Sequence, residues 1–267
     1  MSIDAGFSLN AITLGEPACP PILFVHGMAG SAGLWVLGYA FHLARNYRVI
    51  AYDQRGHGLS PTPPRGYRLN DQADDLEQVR LRLAPGPVTV VGYSYGGHIA
   101  TRWAMRYPEH AAGLVVIDSP PLPLLTRDID DLLDGLPALL GGDFTREGRF
   151  LDPLKTSLRD DILKRRRRIL NTKSRIDALK ATTFRSDVLS DTAFDNAEFK
   201  RIGCPTLLIY STQAGHLDYA ERQRTLIEDC ELTLVDGGHD LVTADPDAVR
   251  HALERFMLQS VRPREMS

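Results

Sequence analysis

The sequence has no long apolar run, few cysteines and almost no excess of either charge. No apolar stretch approaches the roughly 20 residues that a membrane-spanning helix needs, and the first residues lack the basic and apolar regions of a secretory signal. The only cysteines, Cys19, Cys204 and Cys230, are odd in number and widely separated. This pattern favours reduced thiols over a disulfide framework or a structural zinc site. We therefore predict a cytoplasmic protein with neither a membrane partner nor a metal.

The composition argues against several further classes of protein. The formal net charge of −3 provides no general basic field, which argues against nucleic acid as a partner. Hydrophobic residues make up 43% and charged residues 24% of the chain, as in ordinary globular proteins. Long disordered or fibrous segments are therefore not expected.

Short apolar runs alternate with amphipathic stretches along most of the chain. Their partly β-branched composition and their Gly, Pro or Asp boundaries predict strands with both faces buried, as in a parallel sheet. Alternation of strands and helices predicts an α/β fold. The predicted strands are Ile22–Val25, Val49–Tyr52, Val88–Val91, Leu114–Ile117, Thr206–Tyr210 and Leu232–Val235. The predicted helices are Leu34–Leu43, Asn70–Leu83, Tyr95–Tyr107 and Asp245–Leu258, the last with Asp245 as N-cap before Pro246.

The alternation stops between the fourth and fifth predicted strands, where helical patterns and loops dominate. We interpret residues 122–202 as a helical cap inserted into one core domain, which comprises residues 1–121 and 203–267. Apolar residues of this insertion are expected to line an acyl or ring pocket for an apolar substrate. They include Leu122, Leu124, Leu125, Leu132, Leu133, Leu136, Leu139 and Leu140.

A glycine-flanked serine follows the third predicted strand. Gly92-Tyr93-Ser94-Tyr95-Gly96 is a G-x-S-x-G pattern that lies after an apolar run and before a helical one. This context is typical of a nucleophile elbow, in which small residues permit a sharp turn that exposes the serine hydroxyl. A helix beginning at Tyr95 would direct N–H groups towards developing negative charge. We predict Ser94 as a nucleophile.

Two other glycine-containing loops follow predicted strands. In His26-Gly27-Met28, a turn after the first run can direct the Met28 N–H towards the serine, where with the Tyr95 N–H it would form an oxyanion hole. We interpret His26 as a brace of this loop. The second loop carries His239 between the last strand and the last helix, so His239 is the predicted base.

Taken together, the motifs resemble the α/β-hydrolase superfamily over nearly the whole chain. The stretch Asp53–Ser60 is similar to its D-x-R-G-x-G-x-S motif, in which the position of His57 is structural. His239, followed by Asp245-Pro246-Asp247, resembles the terminal histidine loop and last helix. The resemblance implies a mostly parallel sheet with helices on both faces and an inserted helical cap, a Ser-His-acid triad and no cofactor. It says little about the substrate.

The acid of the triad departs from the family pattern. Superfamily members usually carry it after the strand that follows the cap, where this chain has Ala214, and alanine cannot orient an imidazole. Some branches, including haloalkane dehalogenases, carry it instead at the end of the preceding strand, which corresponds to Asp118. We predict Asp118 as the acid. Asp218 is the alternative. The third possibility is that neither aspartate serves as the acid.

A serine nucleophile with a histidine base supports attack on a carbonyl carbon through an acyl-enzyme. We therefore predict a serine hydrolase of carboxylic esters or lactones. One alternative is a thioesterase or a hydrolase of C–C bonds. Another is a non-hydrolytic lyase or binding protein, which the alanine at position 214 favours.

Positive charge is concentrated in the predicted cap. Residues 155–185 contain 11 lysines and arginines against three aspartates, with the densest run at Lys164–Arg168. Apolar residues at helical spacing in the same stretch indicate a solvated helix face. The alternative is a docking site for an acyl carrier or coenzyme A.

Overall fold

A seven-stranded sheet forms the centre of the described part of the chain. The structure, a computed structural model, describes residues 8–130, residue 133 and residues 174–260. The strand order is β1-β3-β2-β4-β5-β6-β7, and every neighbouring pair is parallel except β1 with β3. The strands are β1 Ala11–Leu14, β2 Pro21–Val25, β3 Arg48–Tyr52, β4 Val88–Tyr93, β5 Ala111–Ile117, β6 Thr206–Ser211 and β7 Cys230–Val235.

Helices connect these strands on both faces. The first, α1, is one continuous helical segment over Gly33–Trp35, Val36–Ala40 and Phe41–Leu43, with π-helical geometry in its middle part. The others are α2 Leu69–Leu83, α3 Tyr95–Arg106, α4 Thr126–Asp130, α5 at residues 174–180, α6 Phe184–Leu189, α7 Asn196–Phe199, α8 Leu217–Leu226, α9 Leu241–Ala244 and α10 Pro246–Ser260. None of these described helices is long and apolar enough to cross a bilayer.

Two hydrophobic cores lie on opposite faces of the sheet. Successive residues of a strand point to opposite sides, so Leu23 belongs to one core and Phe24 to the other. Trp103 of α3 is buried in the first core and Trp35 of α1 in the second. Because both faces are covered, the central strands consist mainly of apolar residues. The predicted α/β fold with helices on both faces is confirmed.

All six predicted strands are present, and one strand was not predicted. β1 pairs with β3 alone among the described strands, in antiparallel register, and its central residues Ile12 and Thr13 are exposed. An edge strand of four residues with little burial has no run of apolar residues to signal it. The predicted N-cap of the last helix is present, since Asp245 Oδ1 accepts the Ala248 N–H at 3.0 Å.

Residues 118–205 join two strands that are direct neighbours in the sheet. Leu114 of β5 is aligned with Thr206 of β6, so this long segment leaves the sheet and returns beside its point of departure. Its described part packs on the core through Asp187, whose carboxylate accepts the Tyr67 N–H at 2.9 Å. The division into core and cap at residues 122–202 stays a prediction. Leu132, Leu136, Leu139, Leu140 and the basic run Lys164–Arg168 lie outside the described residues.

Helix α3 approaches the sheet closely at Gly96. A Cβ atom at this position would collide with the carbonyl oxygens of Val25 and His26 at the end of β2. Glycine therefore allows α3 to pack directly over β2 and brings the start of the helix to the end of the neighbouring strand. Gly38 of α1 differs, because a Cβ atom there would meet nothing within 4 Å outside its own helix.

We expect Gly96→Ala to lower the free energy of unfolding by at least about 2 kcal/mol, since the backbone carbonyls that it meets cannot move aside independently. The matched variant Gly38→Ala should instead stabilise the protein by roughly 0.5–1 kcal/mol, because alanine loses less backbone entropy in a helix. Urea denaturation followed by circular dichroism measures both. Equal effects of the two substitutions would contradict this account of the packing.

Candidate active site

Ser94 lies at a strained turn between β4 and α3. Its backbone has φ +53° and ψ −123°, a region that residues with side chains rarely adopt. A Cβ atom at Gly92 would collide with the carbonyl group of Gly96, so the turn requires glycine there. Two hydrogen bonds hold the turn: Ser94 N–H donates to the Ile117 carbonyl at 2.8 Å, and Ser119 Oγ donates to the Ser94 carbonyl at 2.6 Å. Residues at the end of the neighbouring strand β5 and just after it therefore stabilise this strained turn.

His239 lies on the loop between β7 and α9, and its ring reaches the serine. Its Nε2 is 2.9 Å from Ser94 Oγ, and 44% of its side chain is exposed. The ring of Tyr93 stacks on the imidazole, with 5.4 Å between centroids and 28° between planes. The Tyr93 hydroxyl also donates to the His239 carbonyl at 2.8 Å. Burial raises the pKa of Tyr93 to about 12, so this donor keeps its proton at neutral pH.

Asp118 follows β5 and contacts the other nitrogen of the imidazole. Its Oδ2 is 2.6 Å from His239 Nδ1, while its Oδ1 accepts the Ser211 N–H at 2.9 Å. The side chain is completely buried, and the backbone has φ +45°. Since a carboxylate can only accept these bonds, His239 Nδ1 carries the proton and Nε2 presents its lone pair to Ser94. The structure thus brings Ser94, His239 and Asp118 into one hydrogen-bonded chain.

Asp218 is not brought to His239. It is exposed in the first turn of α8, and the ring nitrogen that it was expected to meet is bonded to Asp118. The first turn of α8 begins beyond Ala214 and directs this carboxylate to the surface. The third possibility, that neither aspartate contacts the imidazole, also disagrees with the observed hydrogen bond between Asp118 and His239.

The end of β6, where the family usually carries its acid, holds the histidine loop by another route. Ser211 Oγ accepts the backbone N–H groups of Gln213 and Ala214, each at 3.1 Å, and donates to the Gly237 carbonyl. It therefore ties the turn after β6 to the loop that carries His239. The sequence analysis did not predict this role of Ser211. The only indication in the sequence was that serine occupies a position where the family usually has glycine.

The loop after β2 runs beside the nucleophile. A Cβ atom at Gly27 would lie only 3.2 Å from Ser94 Cβ. The loop closes with a turn in which Gly30 N–H donates to the Gly27 carbonyl at 3.1 Å, and Ala29 has φ +56°. The peptide of Met28 is therefore adjacent to Ser94, and Tyr95 N–H lies at the start of α3 directly after it. That the N–H groups of Met28 and Tyr95 form an oxyanion hole stays a prediction.

His26 of this loop and His98 of α3 are buried and neutral. His26 Nδ1–H donates to the Gly27 carbonyl at 2.7 Å, and its Nε2 accepts the Gln54 N–H at 3.1 Å. Burial lowers the pKa of His26 to about 3 and that of His98 to about 3 as well. His26 thus braces the loop as a fixed tautomer. Within the described residues, no group of three or more His, Cys, Asp or Glu side chains is arranged to hold a metal ion.

The arrangement around Ser94 supports nucleophilic chemistry. The imidazole can take the hydroxyl proton as the oxygen attacks, and the buried carboxylate stabilises the imidazolium that forms. The helix N-terminus and the Met28 loop lie where negative charge would develop on an attacked carbonyl.

Comparison with known proteins identifies the family. The family model described as alpha/beta hydrolase fold matches residues 20–242, and the chain belongs to this family. A 2-(acetamidomethylene)succinate hydrolase of Mesorhizobium japonicum is 37% identical over 120 residues, which are 45% of this chain and 42% of that protein. A putative carbamate hydrolase RutD of Cronobacter sakazakii is 34% identical over 103 residues, 38% of either protein. The chain thus matches less than half the length of these curated relatives.

Solved structures resemble the protein over almost its full length. An enol-lactonase from Burkholderia xenovorans superposes with a TM-score of 0.75 and 17% identity, covering 96% of this chain and 98% of that one. Est816, described as an N-acyl homoserine lactone degrading enzyme, gives a TM-score of 0.71 and 23% identity, with coverage of 95% and 98%. At such identities the likeness shows the fold alone.

We expect Asp118→Asn to slow the reaction of Ser94 with a fluorophosphonate by up to about 10⁴-fold, because the imidazole loses its charge partner and can adopt the wrong tautomer. The rate of covalent labelling, followed by intact-protein mass spectrometry, measures this. Asp218→Asn is the matched control and should label at the rate of the unmodified protein. A slow Asp218→Asn variant beside a fast Asp118→Asn variant would contradict the assignment of the acid.

Proposed function

We propose that the protein is a serine hydrolase that cleaves a carboxylic ester or lactone through an acyl-enzyme, with Ser94, His239 and Asp118 as its catalytic triad. The observation that carries the proposal is the continuous hydrogen-bonded chain, 2.9 Å from Ser94 Oγ to His239 Nε2 and 2.6 Å from His239 Nδ1 to Asp118 Oδ2. Membership of the alpha/beta hydrolase fold family supports it. So do the names of relatives, which include hydrolases and a bifunctional esterase/perhydrolase.

The proposed reaction has two halves. Ser94 Oγ attacks the carbonyl carbon while His239 Nε2 takes its proton, and the carbonyl electron pair moves onto the oxygen. The N–H groups of Met28 and Tyr95 would stabilise this oxyanion. Collapse of the intermediate breaks the bond to the alkoxide, which leaves with the proton from His239. Water then attacks the acyl-enzyme by the same route, which releases the acid and restores Ser94.

The alternatives differ in what supports them. A dock for coenzyme A or an acyl carrier depended on the basic run Lys164–Arg168, which lies outside the described residues. A non-hydrolytic lyase or binding protein was favoured by the alanine at position 214. That argument loses its force, because Asp118 supplies the carboxylate that Ala214 lacks. Hydrolysis of a C–C bond would use the same three residues. Only the identity of the substrate distinguishes it from hydrolysis of an ester or lactone.

We expect Ser94→Ala to abolish fluorophosphonate labelling and to lower turnover of the best substrate by several orders of magnitude, since the proposed acyl-enzyme forms on Ser94 Oγ. The substrate is found with a panel of small esters, lactones and acyl-coenzyme A thioesters, assayed at low and high salt. Highest kcat/KM on esters or lactones, independent of salt, is the expected result.

Two outcomes would contradict the proposal. Labelling that persists in Ser94→Ala would exclude this serine as the nucleophile. Highest kcat/KM on acyl-coenzyme A, falling steeply with salt, would favour the thioesterase. Thr101→Ala is a suitable control variant, because this hydroxyl is buried within α3 and bonds only to the Gly97 carbonyl among the described residues.

A further inference from the structure

Strand β7 lies at one edge of the sheet. It pairs with β6 in parallel register, and no other described strand lies on its outer side. Two hydrogen bonds fix which of its residues face β6. Thr206 N–H donates to the Asp229 carbonyl at 2.8 Å, and Thr212 N–H donates to the Val235 carbonyl at 3.0 Å. Because the hydrogen-bonding direction alternates along a strand, the residues whose backbone groups point outward are Cys230, Leu232 and Leu234.

This outer edge lacks the features that usually keep an edge strand apart from other strands. Protected edges are short, are interrupted by a bulge, or carry proline or lysine. β7 has six residues, none of which is proline or lysine, and its register with β6 is unbroken. The strand at the opposite edge, β1, has only four residues. The outer edge of β7 is therefore suited to pair with a further strand.

A groove follows the outer edge of β7 between α8 and α10. Its volume is about 490 Å³, and it is lined by residues of β7, by Glu221 and Arg224 of α8 and by Arg255 of α10. Leu234 is 50% exposed in this groove. Glu221 and Arg224 pair with each other at 2.7 Å, so the α8 side is already neutralised.

The α10 side of the groove holds two opposite charges that do not pair with each other. Arg255 donates to the Thr233 hydroxyl at 3.1 Å and has no carboxylate partner among the described residues. Glu231 is exposed on the same face of β7, two positions before Thr233, and forms no ion pair within the described part of the chain. A two-fold axis brings such separated charges together, because each surface then meets its own copy in the opposite direction.

We propose that the outer edge of β7 binds the same edge of a second copy of the chain, in antiparallel register about a two-fold axis at Leu232. Leu232 then faces its own copy, and Cys230 faces Leu234 of the other chain on either side of the axis. All three outward residues exchange both of their backbone hydrogen bonds in this register. Their side chains lie on one face, so the half-exposed Leu234 is covered by apolar neighbours.

The same register pairs the free charges. Glu231 lies directly opposite Thr233 of the second copy, and the Thr233 hydroxyl is bonded to Arg255, so each carboxylate meets the guanidinium of the other chain. A register centred on Glu231 would instead place two carboxylates opposite each other, which is destabilising. A register centred on Thr233 would place Cys230 opposite Asp236, beyond the end of the strand.

This dimer leaves both candidate active sites open. β7 continues into the loop that carries His239, at the carboxyl ends of the strands. Antiparallel pairing directs the carboxyl ends of the two sheets to opposite sides of the assembly, so neither copy covers Ser94 of the other. The inference therefore does not depend on the proposed hydrolase function.

Sedimentation velocity over a range of protein concentrations should show a reversible equilibrium between one and two copies of the chain. Glu231→Arg should raise the dissociation constant of the dimer by about 10- to 100-fold, because like charges then meet on both sides of the axis. Adding Arg255→Glu should restore the affinity, because the two charges are exchanged. Glu16→Arg is the matched control and should have no effect, since this exposed glutamate follows β1 at the opposite edge of the sheet.

A disulfide bridge tests the register. Leu234→Cys places a thiol opposite Cys230 of the second copy, about 5.5 Å away between Cα atoms, which a disulfide can span. Within one chain the two positions are roughly 13 Å apart along the strand and cannot be bridged. Burial raises the pKa of the Cys230 thiol to about 12, so the bridge is scored after copper-catalysed oxidation has reached its end point. Cys230→Ser in the same variant should abolish it.

Three results would overturn the inference. A chain that sediments as one copy at every concentration would exclude the dimer. A dimer whose dissociation constant does not change in Glu231→Arg would exclude this edge as its interface. A cross-link that forms without Cys230, or a dimer of Leu234→Cys that forms none, would exclude the register. Fluorophosphonate labelling of Ser94 tests the hydrolase function separately, and its failure would leave the dimer unaffected.

Discussion

The buried carboxylate of Asp118 connects the ends of four neighbouring strands. It follows β5, accepts the Ser211 N–H at the end of β6, and contacts His239 from the loop after β7. His239 in turn reaches Ser94, which follows β4. These contacts are feasible because the carboxyl ends of parallel strands open on the same edge of the sheet. A charge with no solvent exposure has to be fully hydrogen-bonded, so this carboxylate constrains both of its partners, Ser211 and His239, and through His239 it also constrains Ser94.

Placing the carboxylate after β5 changes the role of the turn after β6. In the usual pattern of this family that turn carries the acid, whereas here Ser211 uses its hydroxyl to bond both to its own turn and to the Gly237 carbonyl. The histidine loop is thus held from one side by Ser211. On the other side it is held by Tyr93, which stacks on the ring and donates to its carbonyl. The exposed imidazole is therefore oriented by backbone contacts as well as by its carboxylate.

The loop after β2 has two groups of neighbours. Gly27 lies against Ser94, because a Cβ atom there would be 3.2 Å from Ser94 Cβ. Further along, Gly30 and Ser31 line a cavity together with His57 and Arg175. His26 holds the loop in place, because its neutral ring bonds to Gly27 on one side and to Gln54 on the other.

The sequence by itself predicted most of the elements and the turn around Ser94, because those signals are local. Apolar runs predicted six strands, and glycines around Ser94 predicted the elbow, since close approach of the backbone excludes side chains at Gly92 and Gly96. The edge strand β1 lacked such a signal. Tertiary structure alone shows that Asp118, and not Asp218, contacts His239, because that contact joins residues 121 positions apart in the sequence. It also decided that His57 and Arg175 share a cavity, since the position of an inserted segment over the sheet follows from long-range packing that no local pattern encodes.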